Sequence, residues 1–347
     1  MINETLLGEL RHLQGKTIAV VYIYENENAA GFGHYHVWKS DVISGWLKAI
    51  QAIHCQPYIL DVRTFVEKAV NRSLPSIDYV LNLNCGSENL SAMGLVPSVC
   101  SFLDIPCIPC STGSIIAGED KYIANLIALA RGMNTPKEVN ADDPSGIYRP
   151  LNCGSSVGVR RGVCNGRYRE GTYQEFITGY DLTTPLIYSP VSEEMLLMPG
   201  VLILPKSEDP EWFYGEVENK TESGFYKQIA PPFSIELQQL YRDIVRAFAI
   251  KTYCRIDARI KCDNKKQLKE MLDEPLAPKN VYFLEVNPMP SIRTFNNDFL
   301  YSYNNLPPDG EICQVIDTIG SLWQDTSLNT VLLVCSMLSE FKARCRK

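Results

Sequence analysis

Hydrophobic and polar positions follow two alternating patterns through the first third of the chain. Short apolar runs predict buried strands, and longer segments with a helical apolar period predict helices. In chain order these are a strand at 17–24, a helix at 35–53, a strand at 57–62, a short helix at 64–70, a strand at 79–84 and a helix at 94–104. Because strands that alternate with helices form parallel sheets covered on both faces, this part predicts a parallel α/β domain.

A different pattern begins near Ser111. Segment 118–136 has an amphipathic helical period, with Glu119 and Asp120 in its predicted first turn and a Gly/Pro stop. The later predicted elements are two strands around a turn of small residues within 145–162, a further segment at 171–187, a helix at 235–250 and strands at 253–262 and 281–287. The charged stretch between the last two strands, 263–280, predicts a solvated extension.

The last predicted strand ends on polar residues. Its apolar run leads to Glu285 and Asn287, and Pro288 then breaks the pattern. Side chains on a strand alternate between faces, so Glu285 and Asn287 point the same way. Both carry oxygen atoms of the kind that hard cations prefer, which predicts a metal site. The alternative is a strand that reaches solvent and turns.

The strand at 253–262 supplies matching groups. Asp257 lies at the end of this strand, which we predict to pair with 281–287, and Arg255 lies two residues earlier on the same face. Asp257 completes, with Glu285 and Asn287, the carboxylate and amide oxygen set that holds Mg²⁺ on a nucleotide. Arg255 is suited to neutralise a developing oxyanion.

Small residues and isolated basic residues point to phosphate. The stretch CGSSVGV at 153–159 brackets two serines with two glycines, so its backbone N–H groups can approach phosphate oxygens closely. The alternative is an ordinary hairpin. Three isolated basic residues next to predicted turns or strands are Lys121, Arg149 and Lys220.

The loop after the first predicted strand, 24–36, is polar and contains glycine. No GxGxxG pattern follows that strand, so the dinucleotide fingerprint is absent. Open α/β sheets nevertheless bind ligands at the carboxyl ends of their strands. His34 and His36 in this loop are therefore either ligands or solvated side chains.

Composition narrows the class of protein. Of 347 residues, 45% are hydrophobic and 21% charged, which is an ordinary globular composition. The net charge is −7 and the sequence has no stripe of basic residues, which argues against nucleic-acid binding. No apolar run reaches the roughly 18 residues that span a membrane. The start carries acids and no signal-peptide core, so we expect a cytoplasmic protein. The 12 cysteines, with one CxxC at 107–110, are typical of buried thiols in a reducing compartment.

The order of these motifs resembles the ATP-grasp superfamily, and most closely the D-alanine–D-alanine ligases. The motifs that carry the resemblance are NLNCG (82–86), DIPCIPCSTGSIIAGEDK (104–121), YRPLNCGSSVGVRRG (148–162), YQEFITGYDLT (173–183), EVENKTESGFYKQIAPP (216–232), CRIDARI (254–260) and FLEVNPMPS (283–291). The resemblance implies an N-terminal parallel α/β domain at 1–117 and then a two-lobed ATP-grasp module of α+β type. Its central lobe is expected at 118–182 and its C-terminal lobe at 183–347.

Residue by residue, the resemblance implies roles for the motif positions. The residues implied to contact the phosphates of ATP are Lys121, Arg149 (a lysine in the family), Lys220 and, in the mobile loop 154–158, Ser155 and Ser156. Those implied to border the adenine and the ribose are Gln174, Glu175, Phe176, Ile177, Tyr214, Leu284 and Asp181, the last replacing a glutamate. Those implied to hold Mg²⁺ are Asp257, Glu285 and Asn287, and those implied in catalysis are Arg255 and Ser155.

The chemistry that the resemblance implies is carboxylate activation. ATP converts a carboxylate into an acylphosphate, an amine attacks, and phosphate leaves, with two Mg²⁺ ions (Mn²⁺ able to substitute) offsetting charge on the transferred phosphoryl group. Closure of the loop at 154–158 is expected to keep water out. The implied partners are a small-molecule acid, a small-molecule amine and a second copy of the chain in a homodimer.

Departures from the family pattern cluster on the substrate side. The family's E-x-E-[VI]-S run is replaced by the segment 24–40, and the tyrosine after the phosphate lysine by Thr221. The closing P-G-[ML]-T-x-x-S reads PSIRTFN, so the candidate substrate residues are Ser291, Arg293 and Asn296. We predict an ATP-dependent carboxylate–amine ligase whose substrate is not D-alanine. The alternatives are a true D-alanine–D-alanine ligase with a divergent site and a nucleotide-binding ATP-grasp protein without catalysis.

Overall fold

The computed structural model describes residues 3–23, 40–85, 90–151, 154, 156–163, 171–215, 223–293 and 297–346. The described strands form three sheets. The loop at 24–36, with His34 and His36, lies outside the described residues.

The N-terminal sheet is parallel. Its strands are β1 (Thr17–Tyr22), β2 (Gln56–Asp61), β3 (Tyr79–Asn82) and β4 (Cys107–Ile108), in the order β2-β1-β3-β4. The helices that alternate with them are α1 (Glu4–Arg11), α2 (Ser40–Ala52), α3 (Val62–Val70), α4 (Leu90–Met93) and α5 (Leu95–Phe102). The predicted parallel α/β architecture is confirmed: the central strands β1 and β3 are buried, and alternate residues of each belong to two different hydrophobic clusters, one on each face of the sheet.

Two helices occupy the segment that the sequence pattern assigned to one helix at 118–136. α6 (Thr112–Glu119) ends where α7 (Lys121–Ala130) begins. Asp120 separates them: its backbone is extended, and its side chain accepts hydrogen bonds of 3.0 Å from two N–H groups in the first turn of α7. The prediction that placed Glu119 and Asp120 in a first helical turn is wrong, because Asp120 caps α7 and stops α6.

A small antiparallel sheet lies in the middle of the chain. Its described strands are β5 (Gly146–Pro150), β6 (Arg160–Arg161) and β7 (Gly171–Glu175), in the order β6-β5-β7. The two strands predicted around a turn of small residues are confirmed as β5 and β6. Gly158 in that turn has φ +77, which glycine adopts without strain.

The remaining described strands form one antiparallel sheet. They are β8 (Gly179–Tyr188), β9 (Met195–Leu197), β10 (Val201–Pro205), β11 (Phe225–Ile229), β12 (Tyr253–Lys261) and β13 (Val281–Asn287), in the order β11-β10-β8-β12-β13 with β9 beside β8. The amphipathic helix α8 (Ile235–Ala247) buries Leu237, Tyr241 and Ile244 in the same core cluster as this sheet. The charged segment between β12 and β13 contains a helix, α9 (Lys265–Leu272).

Helices from the end of the chain share the N-terminal core. They are α10 (Asp298–Tyr303), α11 (Glu311–Trp323) and α12 (Leu328–Cys345). Val331 and Leu338 of α12 belong to one hydrophobic cluster with Trp46 and Leu81. The predicted segments 1–117 and 183–347 therefore pack together, and their boundaries stay predictions. None of the described helices is long and apolar enough to cross a membrane.

Gly179 begins β8 in a conformation that side chains rarely adopt. Its φ is +142, and a Cβ atom there would lie 1.9 Å from the carbonyl oxygen of Ile260 on β12. This close approach lets β8 run beside β12 in the register that places Thr183 opposite Asp257. The glycine thus contributes to the alignment of the two central strands.

We expect Gly179→Ala to lower the free energy of unfolding by at least about 3 kcal/mol, because the new methyl group must displace backbone. Urea unfolding followed by circular dichroism measures the loss. Gly8→Ala is the matched control: a Cβ there meets nothing within 4 Å. It lies inside α1, so we expect a gain of up to about 1 kcal/mol. A Gly179→Ala protein as stable as wild type would contradict the strand alignment described above.

Candidate active site

Strands β12 and β13 bring four of the predicted site residues together. In their antiparallel register Asp257 lies opposite Glu285, and Arg255 lies opposite Asn287. The predicted pairing of the two strands is confirmed, although Asp257 lies within β12 and not at its end. A bulge between Asp257 and Ala258 interrupts the ladder, and bulges re-aim neighbouring side chains.

Asp257 is held by three neighbours. Arg255 donates two hydrogen bonds to it, of 2.8 Å and 2.7 Å, one to each carboxylate oxygen. Asn287 Nδ2 donates at 2.8 Å, and the Thr183 hydroxyl donates at 2.6 Å. Burial raises the pKa of Asp257, while the Arg255 guanidinium lowers it. Thr183, which the sequence patterns did not single out, reaches the carboxylate because β8 and β12 are neighbours.

Glu285 pairs with two buried cations. Its Oε2 atom lies 2.8 Å from Arg149 Nη2 and 3.4 Å from Lys121 Nζ, and these two basic side chains are only 9% and 6% exposed. Burial alone would raise the pKa of Glu285, but Lys121, Arg149 and Arg255 lower it to about 2. The carboxylate is therefore ionised at neutral pH.

Arg149 and a side chain of α7 also donate hydrogen bonds to the backbone of β13. Arg149 Nη1 donates to the carbonyl oxygen of Leu284 at 3.0 Å, and Asn125 Nδ2 donates to the same oxygen at 3.1 Å. The Arg149 guanidinium thus spans a carbonyl and the neighbouring Glu285 carboxylate, a two-pronged contact that a lysine could not make. Asn125 also donates to the carbonyl oxygen of Lys121 at 2.7 Å.

The segment predicted to edge the adenine, 174–177, includes the end of β7 and runs toward β8. Gln174 is 2% exposed, and its Oε1 has no hydrogen-bond partner among the described residues. Glu175 accepts a hydrogen bond of 3.0 Å from the N–H of Lys137. Ile177 is buried, and its carbonyl oxygen accepts from Arg259 Nε. The adenine contacts of these residues stay predictions.

Arg259 organises the neighbouring predicted residues. The guanidinium carbons of Arg161 and Arg259 both lie over the Phe176 ring, 3.9 Å and 4.8 Å from its centroid. Asp181 accepts from Arg259 Nη1 at 2.6 Å and from the N–H of Tyr214 at 3.0 Å. The implied contact between Asp181 and the ribose stays a prediction. The ribose hydroxyls would have to share the Asp181 oxygens with Arg259 and Tyr214.

The predicted phosphate loop approaches the C-terminal lobe. Ser156 has φ +56 and donates its hydroxyl to the carbonyl oxygen of Tyr214 at 3.0 Å. The Tyr214 ring packs edge-on against Phe225, with centroids 5.2 Å apart. The Ser156 hydrogen bond joins the turn between β5 and β6 to the segment before β11. Predicted site residues outside the described part of the chain are Ser155, Lys220 and Asn296.

One of the candidate substrate residues, Arg293, lies beside an N-terminal helix. Arg293 Nε lies 3.7 Å from Asp41 Oδ2, which belongs to the first turn of α2. Ser291 accepts a hydrogen bond from Asn297 Nδ2 through its carbonyl oxygen. Asp41 belongs to none of the motifs found in the sequence, and only the tertiary fold brings it close to Arg293.

The donor set at this end of the sheet fits a divalent cation. Glu285 makes its ion pairs through Oε2, and Asn287 donates to Asp257 through Nδ2. The other oxygen of each side chain, Glu285 Oε1 and Asn287 Oδ1, accepts no hydrogen bond within the described ranges. The Asp257 and Glu285 side chains are 20% and 23% exposed, so the site is open. No three His, Cys, Asp or Glu side chains among the described residues form a metal group. Two carboxylates and an amide suit Mg²⁺ that shares its remaining positions with phosphates and water.

Glu119, which we did not predict as a site residue, lies beside this cluster. Burial raises its pKa to about 7; Lys121 and Arg255 lower the pKa, and Glu285 raises it. Across the described part of the chain, no hydrogen bond or ion pair involves the Glu119 carboxylate. The only sequence signal was its place in GEDK, two residues before Lys121.

We expect the stability of the protein to fall as pH rises from about 4.5 to 7, in part because of Glu119. In this window the folded state binds more protons than the unfolded state, so ionisation favours unfolding. Glu119→Gln removes the effect. Its free energy of unfolding should exceed that of wild type by about 1–3 kcal/mol at pH 8 and by far less at pH 5.

Urea unfolding at both pH values measures this difference. The exposed Glu236→Gln on α8 is the control and should change stability equally at the two values. A Glu119→Gln effect that is the same at pH 5 and pH 8 would contradict the prediction.

Comparison with known proteins gives a likeness of structure. No protein-family model matches the chain, and no curated protein matches it. D-alanine–D-alanine ligase from Bacillus anthracis, complexed with ATP, matches with a TM-score of 0.59 and 14% identity over 96% of this chain and 99% of that chain. D-alanyl-alanine synthetase A from Vibrio cholerae O1 biovar eltor str. N16961 matches with a TM-score of 0.61 and 11% identity over 95% and 99%.

A third structure, VanG D-Ala:D-Ser ligase from Enterococcus faecalis, matches with a TM-score of 0.58 and 15% identity over 88% of this chain and 99% of that chain. Each of the three matches extends over at least 88% of this chain. The predicted resemblance is therefore confirmed at the level of the fold, and the chain has the ATP-grasp fold of the D-alanine–D-alanine ligases.

Proposed function

We propose that the protein is an ATP-dependent carboxylate–amine ligase, which forms an amide bond through an acylphosphate and whose acid substrate is not D-alanine. The observation that carries the proposal is the convergence of three cations, two carboxylates and an amide at the carboxyl end of β13 and the part of β12 that pairs with it. The cations are Lys121, Arg149 and Arg255, and the oxygen donors are Asp257, Glu285 and Asn287. This set lies in a fold shared with proteins named as ligases, one of them complexed with ATP.

The basic residues suit the binding of a triphosphate. Lys121 and Arg149 converge on a single oxygen of Glu285, which neutralises only part of their charge. Phosphate oxygens would compete for these donors, because charge-assisted hydrogen bonds to phosphate are strong and Arg and Lys both make them. Asp257, Glu285 and Asn287 would hold Mg²⁺, which would offset negative charge on the transferred phosphoryl group.

The reaction balances in two steps. An oxygen of the substrate carboxylate attacks the γ-phosphorus of ATP, the bond from that phosphorus to the β,γ-bridging oxygen breaks, and ADP leaves. The amine nitrogen then attacks the carbonyl carbon of the acylphosphate, loses a proton, and displaces inorganic phosphate as the amide forms.

In this proposal Arg255 assists the second step. Its Nε and Nη2 atoms bind Asp257, which fixes the guanidinium plane. Its Nη1 group makes no hydrogen bond among the described residues, and it is therefore available to an oxyanion. A preoriented donor of this kind stabilises charge that develops on the tetrahedral intermediate.

We expect MgATP to raise the melting temperature of the wild-type protein, since a ligand at about a hundred times its dissociation constant adds roughly 2.7 kcal/mol to stability.

ADP formation across a panel of acids and amines, with product masses recorded, tests turnover. Asp257→Asn and Glu285→Gln should abolish turnover. Glu285→Gln should also lower stability in the absence of nucleotide, because it leaves Lys121 and Arg149 buried without their counter-ion.

Asp243→Asn is a control, because among the described residues this carboxylate pairs only with side chains of its own helix, α8. It should leave turnover unchanged. A protein that MgATP does not stabilise would overturn the proposed function. Binding of MgATP without turnover on any acid and amine would favour a nucleotide-binding protein without catalysis.

We expect D-alanine alone to be a poor substrate or none. The family contacts to the two D-alanines are replaced at Ser291, Asn296 and segment 24–40, and Arg293 lies beside Asp41. Two lost polar contacts of a few kcal/mol each would lower efficiency by several orders of magnitude, at about 1.4 kcal/mol per tenfold. Incubation with MgATP and D-alanine, followed by mass analysis, decides the point. Rapid formation of D-alanyl-D-alanine would favour a true D-alanine–D-alanine ligase.

A further inference from the structure

We propose that Arg259 is a positioning residue for the nucleoside part of ATP, because it holds the segments that border the base and the ribose in place before the nucleotide binds. This inference rests on the proposed function, in which ATP is a substrate. Arg259 belongs to the motif CRIDARI (254–260), but none of the predicted roles includes it. Its position on β12, its hydrogen bonds and its burial support the proposal.

Arg259 lies on the same face of β12 as the candidate metal site. Arg255, Asp257 and Arg259 alternate along the strand, so their side chains point the same way. The register with β8 places Thr183 opposite Asp257 and Asp181 opposite Arg259. Each of these β8 residues is hydrogen-bonded to the residue opposite it, at 2.6 Å in both cases. One face of β12 therefore carries a candidate metal ligand and, two residues further along, the pair of Arg259 with Asp181.

The Arg259 guanidinium binds carbonyl oxygens from segments that are far apart in the chain. Nε donates to Ile177, and Nη2 donates to Gly179 at 2.7 Å, to Pro210 at 3.1 Å and to Trp212. The Arg259 side chain is only 4% exposed, and a guanidinium buried to this extent needs such partners. Arg259 thus joins the segment after β7, the first residues of β8 and the segment 208–214 that leads from β10 toward β11.

Each segment that Arg259 holds carries a residue implied to border the base or the ribose. Phe176 lies in the segment after β7, and its ring centroid is 4.8 Å from the Arg259 guanidinium carbon. Asp181 lies on β8 and also accepts a hydrogen bond of 3.0 Å from the N–H of Tyr214. Tyr214 ends the third segment. These contacts use only atoms of the protein, so they need no nucleotide in order to form.

The geometry of the guanidinium makes Arg259 difficult to replace. Its planar fork presents five N–H donors at fixed angles, whereas a lysine ammonium is a point charge on a flexible stem. A lysine at position 259 could keep the ion pair with Asp181 but could not reach the carbonyl oxygens of all three segments. The nucleotide would then have to order those segments, and this ordering lowers affinity. The candidate phosphate residues Lys121 and Arg149 bind Glu285 on β13 and should be unaffected.

The test compares MgATP with magnesium tripolyphosphate, which carries the phosphates but neither base nor ribose. Isothermal titration calorimetry gives the Kd of each ligand for wild type and for Arg259→Lys. We expect wild type to bind MgATP at least about a hundredfold more tightly than tripolyphosphate, because a preformed site needs little ordering. In Arg259→Lys this ratio should fall below about tenfold, while the Kd for tripolyphosphate should stay within about threefold of the wild-type value.

Circular dichroism checks that each variant is folded. Arg246→Lys is the matched control, because this arginine is 55% exposed on α8, and both Kd values should stay as in wild type. An Arg259→Lys protein that keeps the wild-type ratio would overturn the inference, as would one that loses affinity for both ligands equally, which indicates a general structural role. A wild type that binds the two ligands equally would also overturn it. A wild type that binds neither ligand would overturn the proposed function instead.

Hydrogen exchange of the wild-type protein gives a reading that does not depend on a variant. The N–H groups of Gly179 and Tyr214 donate to Pro210 and Asp181, at 2.8 Å and 3.0 Å, among the segments that Arg259 holds. If these segments are preformed, both amides should exchange at least about a hundredfold more slowly than in an unstructured chain, without nucleotide. Amides that exchange as in an unstructured chain, and become protected only when MgATP is added, would overturn the inference.

Discussion

The antiparallel pairing of β12 with β13 is the interaction on which the candidate site depends. Its register places Asp257 opposite Glu285, so two carboxylates from distant parts of the chain face the same space. A slip of one residue would turn one of them to the other face of the sheet. Gly179 contributes to the same alignment from the far side, because β8 can approach β12 closely only without a side chain there. The register of these strands therefore determines which charged side chains lie next to each other.

Those charges then hold neighbouring parts of the fold together. Lys121 begins α7 and Arg149 lies on β5, and both converge on Glu285 of β13. A buried ion pair gives uncertain net stability, but removing one partner leaves an uncompensated charge. The cluster thus has a structural role without nucleotide, and under the proposed function the same donors would bind phosphates. For this reason Glu285→Gln is expected to lower both the stability of the protein and its turnover.

The proposed substrate side has a different origin. Its candidate Arg293, after β13, lies beside Asp41 at the start of α2, and no single motif contains both residues. Under the proposed function, a fold shared with D-alanine–D-alanine ligases would keep one set of nucleotide residues and carry a different set of substrate contacts, because the two sets rest on different elements.

Apolar periodicity alone predicted most of this architecture. Runs of apolar residues predicted the parallel N-terminal sheet and the strand pair that carries Asp257 and Glu285, because burial of a face leaves a regular pattern in the sequence. The pattern could not show the break between α6 and α7, since Asp120 suits a first helical turn and an N-cap equally well. Nor could it show the partners of these carboxylates or the isolation of Glu119. Ion pairs and desolvation depend on distances between segments far apart in the chain, and only the tertiary fold sets those distances.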